Sequence, residues 1–151
     1  VLFARHGFEV TAVDFSAEAI AAARVAAGTA GVSVAFLHCD LFGLIPAYDE
    51  AFDCVIEYVT YCAIDPVLRV AYANVVSRLT APGGLFVALF FPVERREGGP
   101  PFSVSMEEVD NLFSRQLRLV STEEHPKTIA PRKGREVLTI WRKPLRGATN
   151  D

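Results

Sequence analysis

Phe8-Glu9-Val10-Thr11-Ala12-Val13-Asp14-Phe15-Ser16, followed by the alanine-rich run 17–27, decides the fold class. The first seven residues are rich in β-branched and apolar side chains and end in an acid, as a buried parallel strand does. Ser16 then sits where a helix N-cap belongs, and the alanines that follow have high helix propensity up to Gly28. Ahead of this unit, residues 1–7 read as the last turns of an amphipathic helix closed by Gly7.

The same alternation continues downstream. Val34 to Leu37 predicts a second strand, with His38-Cys39-Asp40 at its carboxyl end, and Pro46 to Glu50 predicts a turn. Phe52 to Tyr58 is a third strand. Pro66 opens a helix through Thr80, because its missing amide donor is unneeded there. Leu68, Tyr72, Val75, Val76 and Leu79 share one side of that helix, and Pro82-Gly83-Gly84 ends it. Leu85 to Phe91 is the most apolar strand and reads as the sheet centre. After a polar loop over 95–101, Ser105 caps a short helix through Phe113, with Glu108 at the capping-box position. Leu117 to Glu123 and Glu136 to Arg142 are expected to form a final antiparallel pair. Residues 1–144 are read as one domain, with 145–151 a frayed tail. Strands alternating with helices place ligands at the carboxyl ends of a mostly parallel sheet.

Composition narrows the function. The chain has 151 residues, 51% hydrophobic and 22% charged, which fits a single globular domain. A net charge of -3 without a basic run argues against nucleic-acid or anionic-membrane partners, which require clustered positive potential, and favours a small molecule. Cys39, Cys54 and Cys62 lack CxxC spacing, so they read as reduced thiols of a cytoplasmic protein. No apolar run reaches the ~20 residues of a membrane span. His6, His38 and His125 have no metal-ligand spacing and read as surface or satisfied side chains.

Candidate site residues lie at the strand ends. Asp14 can accept both hydroxyls of a ribose, or serve only the dipole of the following helix. Asp40, with Leu41 and Phe42 behind it, can receive an adenine amino proton, or simply start a turn. Glu57 and Tyr58 close the third strand near the expected crossover point, where both can face a bound cofactor or the incoming nucleophile, and a buried acid there needs a partner or a raised pKa. The basic turn Arg132-Lys133-Gly134-Arg135 is too short for nucleic acid; one of its arginines can steer an anionic substrate.

Glu57-Tyr58-Val59-Thr60-Tyr61-Cys62-Ala63-Ile64-Asp65-Pro66 through Arg69, with Pro82-Gly83-Gly84, resembles the thiopurine S-methyltransferase-like family, including its plant thiol and halide methyltransferases. Gly98-Gly99-Pro100-Pro101-Phe102-Ser103-Val104-Ser105 and Arg132-Lys133-Gly134-Arg135-Glu136 resemble that family's substrate loop and last hairpin. The resemblance implies a Rossmann-like class I methyltransferase sheet, mostly parallel with a C-terminal antiparallel hairpin, and S-adenosylmethionine as cofactor. It implies that Asp14, beside Phe15, holds the ribose, that Asp40 and Leu41 line the adenine, and that Tyr58 approaches the reacting centre. Tyr61, Arg69, Phe91, Pro101 and Phe102 would shape the pocket of a small thiol, halide or similar acceptor, with Val93 as a further wall.

No general base is assigned, since a thiol is already a few per cent thiolate at neutral pH; Arg69 would favour that anion. The family's first strand and glycine-rich loop have no counterpart in the sequence from Val1 onward. If these residues are the entire molecule, weak cofactor binding and unpaired sheet edges are expected. A monomer is expected of the full-length enzyme. Two competing readings are a nicotinamide-dependent oxidoreductase, whose ribose-binding acid also follows a strand, and a non-catalytic methyltransferase remnant.

Overall fold

The computed structural model describes residues 1–124 and 128–147. His125 and residues 148–151 of the expected tail lie outside the described residues. Contacts divide the chain into two compact units, Val1–Pro46 and Ala47–Asp151.

The first unit is helix α1 (Leu2–Arg5), strand β1 (Thr11–Asp14), helix α2 (Ala17–Thr29) and strand β2 (Ala35–His38). The strands pair in parallel with Asp14 opposite His38, so α2 is the crossover of a βαβ unit. Ser16 caps α2 as expected, its Oγ accepting from the Ala19 amide at 3.1 Å. The helix does not stop at Gly28. It closes at Gly31, whose φ of 66° permits a Schellman turn: the Gly31 amide donates to Gly28 O and the Val32 amide to Ala27 O. β1 is shorter than the expected 8–14 because ladder pairing begins only at Thr11, opposite Ala35.

The second unit holds a four-stranded sheet in the order β3-β4-β6-β5, formed by β3 (Phe52–Tyr58), β4 (Thr80–Phe90), β5 (Arg118–Glu123) and β6 (Val137–Arg142). β3 and β4 are parallel, and β6 runs antiparallel to both β4 and β5. Helix α3 (Arg69–Leu79) precedes β4, and helix α4 (Met106–Phe113) precedes β5. Pro66 does open a helical segment, but residues 66–68 form a 3-10 turn capped by Asp65, whose carboxylate accepts from the Val67 amide at 3.0 Å.

α3 passes into β4 without a loop, so Pro82-Gly83-Gly84 lies inside a strand. The ladder steps from Phe52↔Thr80 to Cys54↔Leu85, and the extra residues bulge out of β4. Gly84 is required at this bulge, since a Cβ there would stand 2.9 Å from the carbonyl oxygens of Ala81 and Asp53. Lys143 closes the junction: its Nζ donates to Ser77 O at 2.8 Å and Thr80 O at 2.9 Å, satisfying carbonyls at the end of α3.

β4 is the sheet centre, as its apolar run predicts. Phe86, Ala88 and Phe90 alternate onto one buried face, where Phe113 of α4 and Trp141 of β6 complete an aromatic core. No described helix is long and apolar enough to cross a membrane.

Candidate functional site

In the first unit, both predicted acids stand at the carboxyl end of the parallel strand pair. Asp14 is the last residue of β1, and Asp40 follows β2 by two residues. Each commits one oxygen locally: Asp14 Oδ1 accepts from the Ser16 amide at 2.8 Å, and Asp40 Oδ1 from the Phe42 amide at 3.0 Å. The turn anticipated for Asp40 is therefore real, and Asp14 likewise holds the entry to the following helix. The second oxygen of each has no hydrogen-bond partner among the described residues. Two half-used carboxylates at adjacent parallel strand ends fit the diol and amino donors of a nucleoside. Phe15 is 82% exposed beside Asp14, and Leu41 is half-buried beside Asp40. His38 is a satisfied histidine, its Nε2 lying 3.0 Å from Phe15 O and tying the two strand ends together.

In the second unit, Glu57 has a different employment from the cofactor contact expected of it. It is buried, Oε1 accepts from the Tyr61 amide at 2.9 Å, and Oε2 accepts from the Tyr72 hydroxyl. Both oxygens are thus held by the protein. Burial pushes this carboxyl above its ordinary range, against the pull of its hydrogen bonds. The folded state consequently binds the Glu57 proton more tightly than the unfolded chain does. Stability from this group is full below the unfolded value near 4.5 and is lost as pH rises toward the folded value. Glu57→Gln, which cannot ionise, should gain stability relative to the native protein across that window and hold a constant offset above it. Urea denaturation at half-unit pH steps reads this out, and a constant offset from pH 4 to pH 8 would refute it.

The Glu57 clamp shapes the loop after β3. Val59 has a φ of 63°, a left-handed conformation costly for a β-branched residue, and the buried Cys62 thiol donates to Val59 O at 3.3 Å. Burial, with Glu57 nearby, pushes the Cys62 thiol up, so it stays protonated at neutral pH. The Phe102 amide donates to Cys62 O at 2.7 Å and the Val104 amide to Pro92 O at 2.9 Å, docking the 98–104 loop here. The result is an open pocket of about 280 Å³ lined by Val59, Cys62, Ala63, Phe91, Pro100, Pro101 and Arg132.

Of the residues predicted for an acceptor pocket, Phe91 and Pro101 line this space. Phe102 is placed by its amide bond and packs on Gly99. Tyr61 and Arg69 are not among the lining residues. Tyr61 is 1% exposed, in edge contact with Tyr72 and Phe90, and burial raises its phenol well above the usual range, with Glu108 adding to the effect. Arg69 is 4% exposed and lies 4.5 Å over the Tyr61 ring. Its Nη1 pairs with Glu108 at 2.6 Å and its Nη2 donates to Ser103 O at 2.8 Å, so it reaches the pocket through the 98–104 loop. The capping-box reading of Glu108 holds only for its backbone: the amide donates to Ser105 Oγ at 3.3 Å, whereas the carboxylate is spent on Arg69.

Tyr58 is 52% exposed at the end of β3, and its hydroxyl accepts from Arg132 Nη1 at 2.6 Å. Among the described residues, no group of three or more His, Cys, Asp or Glu is arranged to hold a metal ion.

Residues 1–143 match the thiopurine S-methyltransferase (TPMT) family. The chain belongs to this family. Within it, the chain is 38% identical over 109 residues to thiocyanate methyltransferase 1 of Brassica oleracea, covering 72% of this chain and 47% of that protein. It is 34% identical over 137 residues to thiocyanate methyltransferase 1 of Arabidopsis thaliana, covering 89% of this chain and 60% of that protein. The chain therefore spans about half the length of the curated relatives it matches. Among solved structures, it superposes on a SAM-dependent methyltransferase from Methanosarcina mazei with a TM-score of 0.78 at 17% identity, covering 96% of this chain and 86% of that one. It also superposes on the N-methyltransferase NodS from Bradyrhizobium japonicum in complex with S-adenosyl-L-homocysteine, with a TM-score of 0.69 at 20% identity over 90% of this chain and 67% of that one.

The fold of this thiopurine S-methyltransferase family member is thus the class I methyltransferase fold, with a parallel βαβ unit early and an antiparallel hairpin at the end. Its pocket contains four side chains that local sequence reading passed over, Val59, Cys62, Ala63 and Pro100. The signal that could have found them is their position inside the motif that follows the third strand and, for Pro100, inside the glycine- and proline-rich loop.

Proposed function

We propose that residues 1–144 act as a methyltransferase domain that transfers the methyl group of S-adenosylmethionine to a small soft nucleophile, a thiol, thiocyanate or halide. The observation that carries this reading is the second-unit pocket, whose walls are almost wholly apolar. Methyl transfer from a sulfonium to an anion disperses charge, so a pocket that orients the nucleophile and keeps water from it speeds the reaction. When bound, adenosylmethionine supplies the electrophilic methyl: the acceptor's lone pair forms the new bond as the carbon–sulfur bond breaks onto sulfur.

Asp14 with Phe15 and Asp40 with Leu41 are the proposed partners of the ribose and the adenine, and Tyr58 is the proposed contact near the sulfonium. Phe91, Pro101 and Phe102 confine the acceptor, and Arg69 fixes the loop that carries two of them. The Cys62 thiol donates to a backbone carbonyl and serves as wall rather than nucleophile. Cys39, Cys54 and Cys62 are all free thiols, which supports a reducing, cytoplasmic setting. The enzyme is proposed to work as a monomer.

Calorimetric titration of the full-length protein with adenosylhomocysteine, followed by an acceptor screen with labelled adenosylmethionine, tests the reading. Asp14→Ala should weaken adenosylhomocysteine binding by roughly tenfold to a hundredfold, the value of a lost charge-assisted hydrogen bond. Undiminished affinity in that variant, or heat with NADH and none with adenosylhomocysteine, would overturn the assignment.

A further inference from the structure

We infer that Glu57 is a positioning residue for the reaction: its carboxylate grips the turn after β3, holds Val59 in a left-handed conformation, and so sets how bulky an acceptor the pocket admits. The inference rests on reading the pocket lined by Val59, Phe91 and Pro101 as the acceptor site. Val59 has a φ of 63°, a region that a β-branched residue enters only when its surroundings compel it. The turn is fastened from several directions. Glu57 Oε1 accepts from the Tyr61 amide at 2.9 Å while Oε2 accepts from the Tyr72 hydroxyl, so the turn is bonded to a group that is itself anchored to α3. The Ala63 and Ile64 amides donate to Thr60 O at 2.9 and 3.1 Å, and the Cys62 thiol donates to Val59 O at 3.3 Å. Glu57, 2% exposed, is not among the residues that line the pocket, whereas Val59, Cys62 and Ala63 of the turn it holds all are.

Relaxing Val59 to a negative φ would turn the peptides on either side of it and carry the Tyr61 amide away from Oε1, leaving a buried carboxylate oxygen without its donor. A charge-assisted hydrogen bond inside a protein is of the same order as the strain of one residue in this region, so the bond can hold the conformation and its loss can release it. The branched side chain of Val59 then serves as a fixed wall. In an apolar pocket, one methylene more or less changes discrimination between substrates by about tenfold or more, so the placement of an isopropyl group is enough to separate slim from bulky acceptors.

Hydrosulfide and benzenethiol, two soft nucleophiles that differ chiefly in bulk, are the probes. The ratio of kcat/KM for benzenethiol to that for hydrosulfide is measured in full-length native protein and in variants at the two positions. Val59→Gly and Val59→Ala, which remove the wall, should raise the ratio by roughly tenfold. Glu57→Ala should move it in the same direction, although no lining residue has changed. Glu57→Asp, which keeps the charge but withdraws it from the Tyr61 amide, should do likewise and serves where the alanine variant does not fold. Glu57→Gln should keep the native ratio, because its amide oxygen still accepts from Tyr61 while its nitrogen donates to the Tyr72 hydroxyl oxygen. A glutamate with a structural role alone would alter stability and leave the ratio where it was. Urea denaturation gives a readout independent of the chemistry: glycine ordinarily destabilises relative to alanine, but at position 59 the order should reverse, with Val59→Gly unfolding at the higher urea concentration. A Val59→Ala variant more stable than Val59→Gly, or a folded Val59→Gly, Glu57→Ala or Glu57→Asp with the native ratio, would overturn the inference and leave the methyltransferase reading intact. Native protein that binds adenosylhomocysteine but methylates neither probe would overturn both.

Discussion

Phe113→Ala should lower the unfolding free energy by about 3–5 kcal/mol, the range for removing a fully buried phenylalanine whose neighbours cannot collapse into the space. The ring is wholly inaccessible and sits among four others, with centroids 4.9 Å from Phe86, 6.0 Å from Trp141, 6.1 Å from Phe90 and 6.2 Å from Tyr61. These partners belong to β4, β6 and the loop after β3, so the cavity would lie where the sheet meets α4. Rigid aromatic rings on strands cannot swing inward to fill it. Urea denaturation with an unchanged m-value is the measurement. A loss below about 1 kcal/mol would mean that α4 repacks and that the aromatic cluster is not the centre of this unit's stability.

Arg69→Met should cost about 3 kcal/mol, the lower end of what breaking a buried ion pair costs, because the Glu108 side chain is 38% exposed and can regain some water. The Ser103 carbonyl also loses its donor. Adding Glu108→Gln should return part of the loss, since no charge is then left without a partner. A double-mutant cycle by chemical denaturation gives the coupling, and strictly additive losses would show that the pair does not interact. The acceptor KM should rise in the single variant while that for adenosylmethionine changes little, because Arg69 acts on the pocket through the Ser103 segment. Equal acceptor kinetics would remove Arg69 from the positioning of that loop.

Much of the architecture was legible because local and tertiary signals agreed. Phe52 to Tyr58 is a strand at the predicted boundaries, and Ser16 and Ser105 cap the helices they were expected to cap. Discrepancies arise where tertiary pairing overrides local chemistry. Pro82-Gly83-Gly84 carries every mark of a terminator, yet the register with β3 draws these residues into a bulged strand. Gly28 looks like a helix stop, but Gly31 is the residue whose neighbours can complete the Schellman bonds. The site divides in the same way. The strand-end placement of Asp14 and Asp40 could be read because strand ends are local features. The partners of Glu57 and Arg69 could not, since Tyr72 and Glu108 are assigned by packing rather than by spacing. Arg132 was noticed only as part of a basic turn, because its contact with Tyr58 spans 74 positions in the chain.

The position of β4 between β3 and β6 bears on how the polypeptide is made. On the ribosome, β4 can pair with β3 soon after it emerges, but β6 begins at Val137, almost fifty residues beyond Phe90. At ~5–20 residues per second, several seconds of synthesis separate the two. During that interval the nascent chain carries a half-paired apolar strand, and Trp141 has not yet arrived to cover Phe86. Heterologous expression of this domain should therefore respond to slower growth temperature and co-expressed holdase chaperones more than to changes in its surface charge.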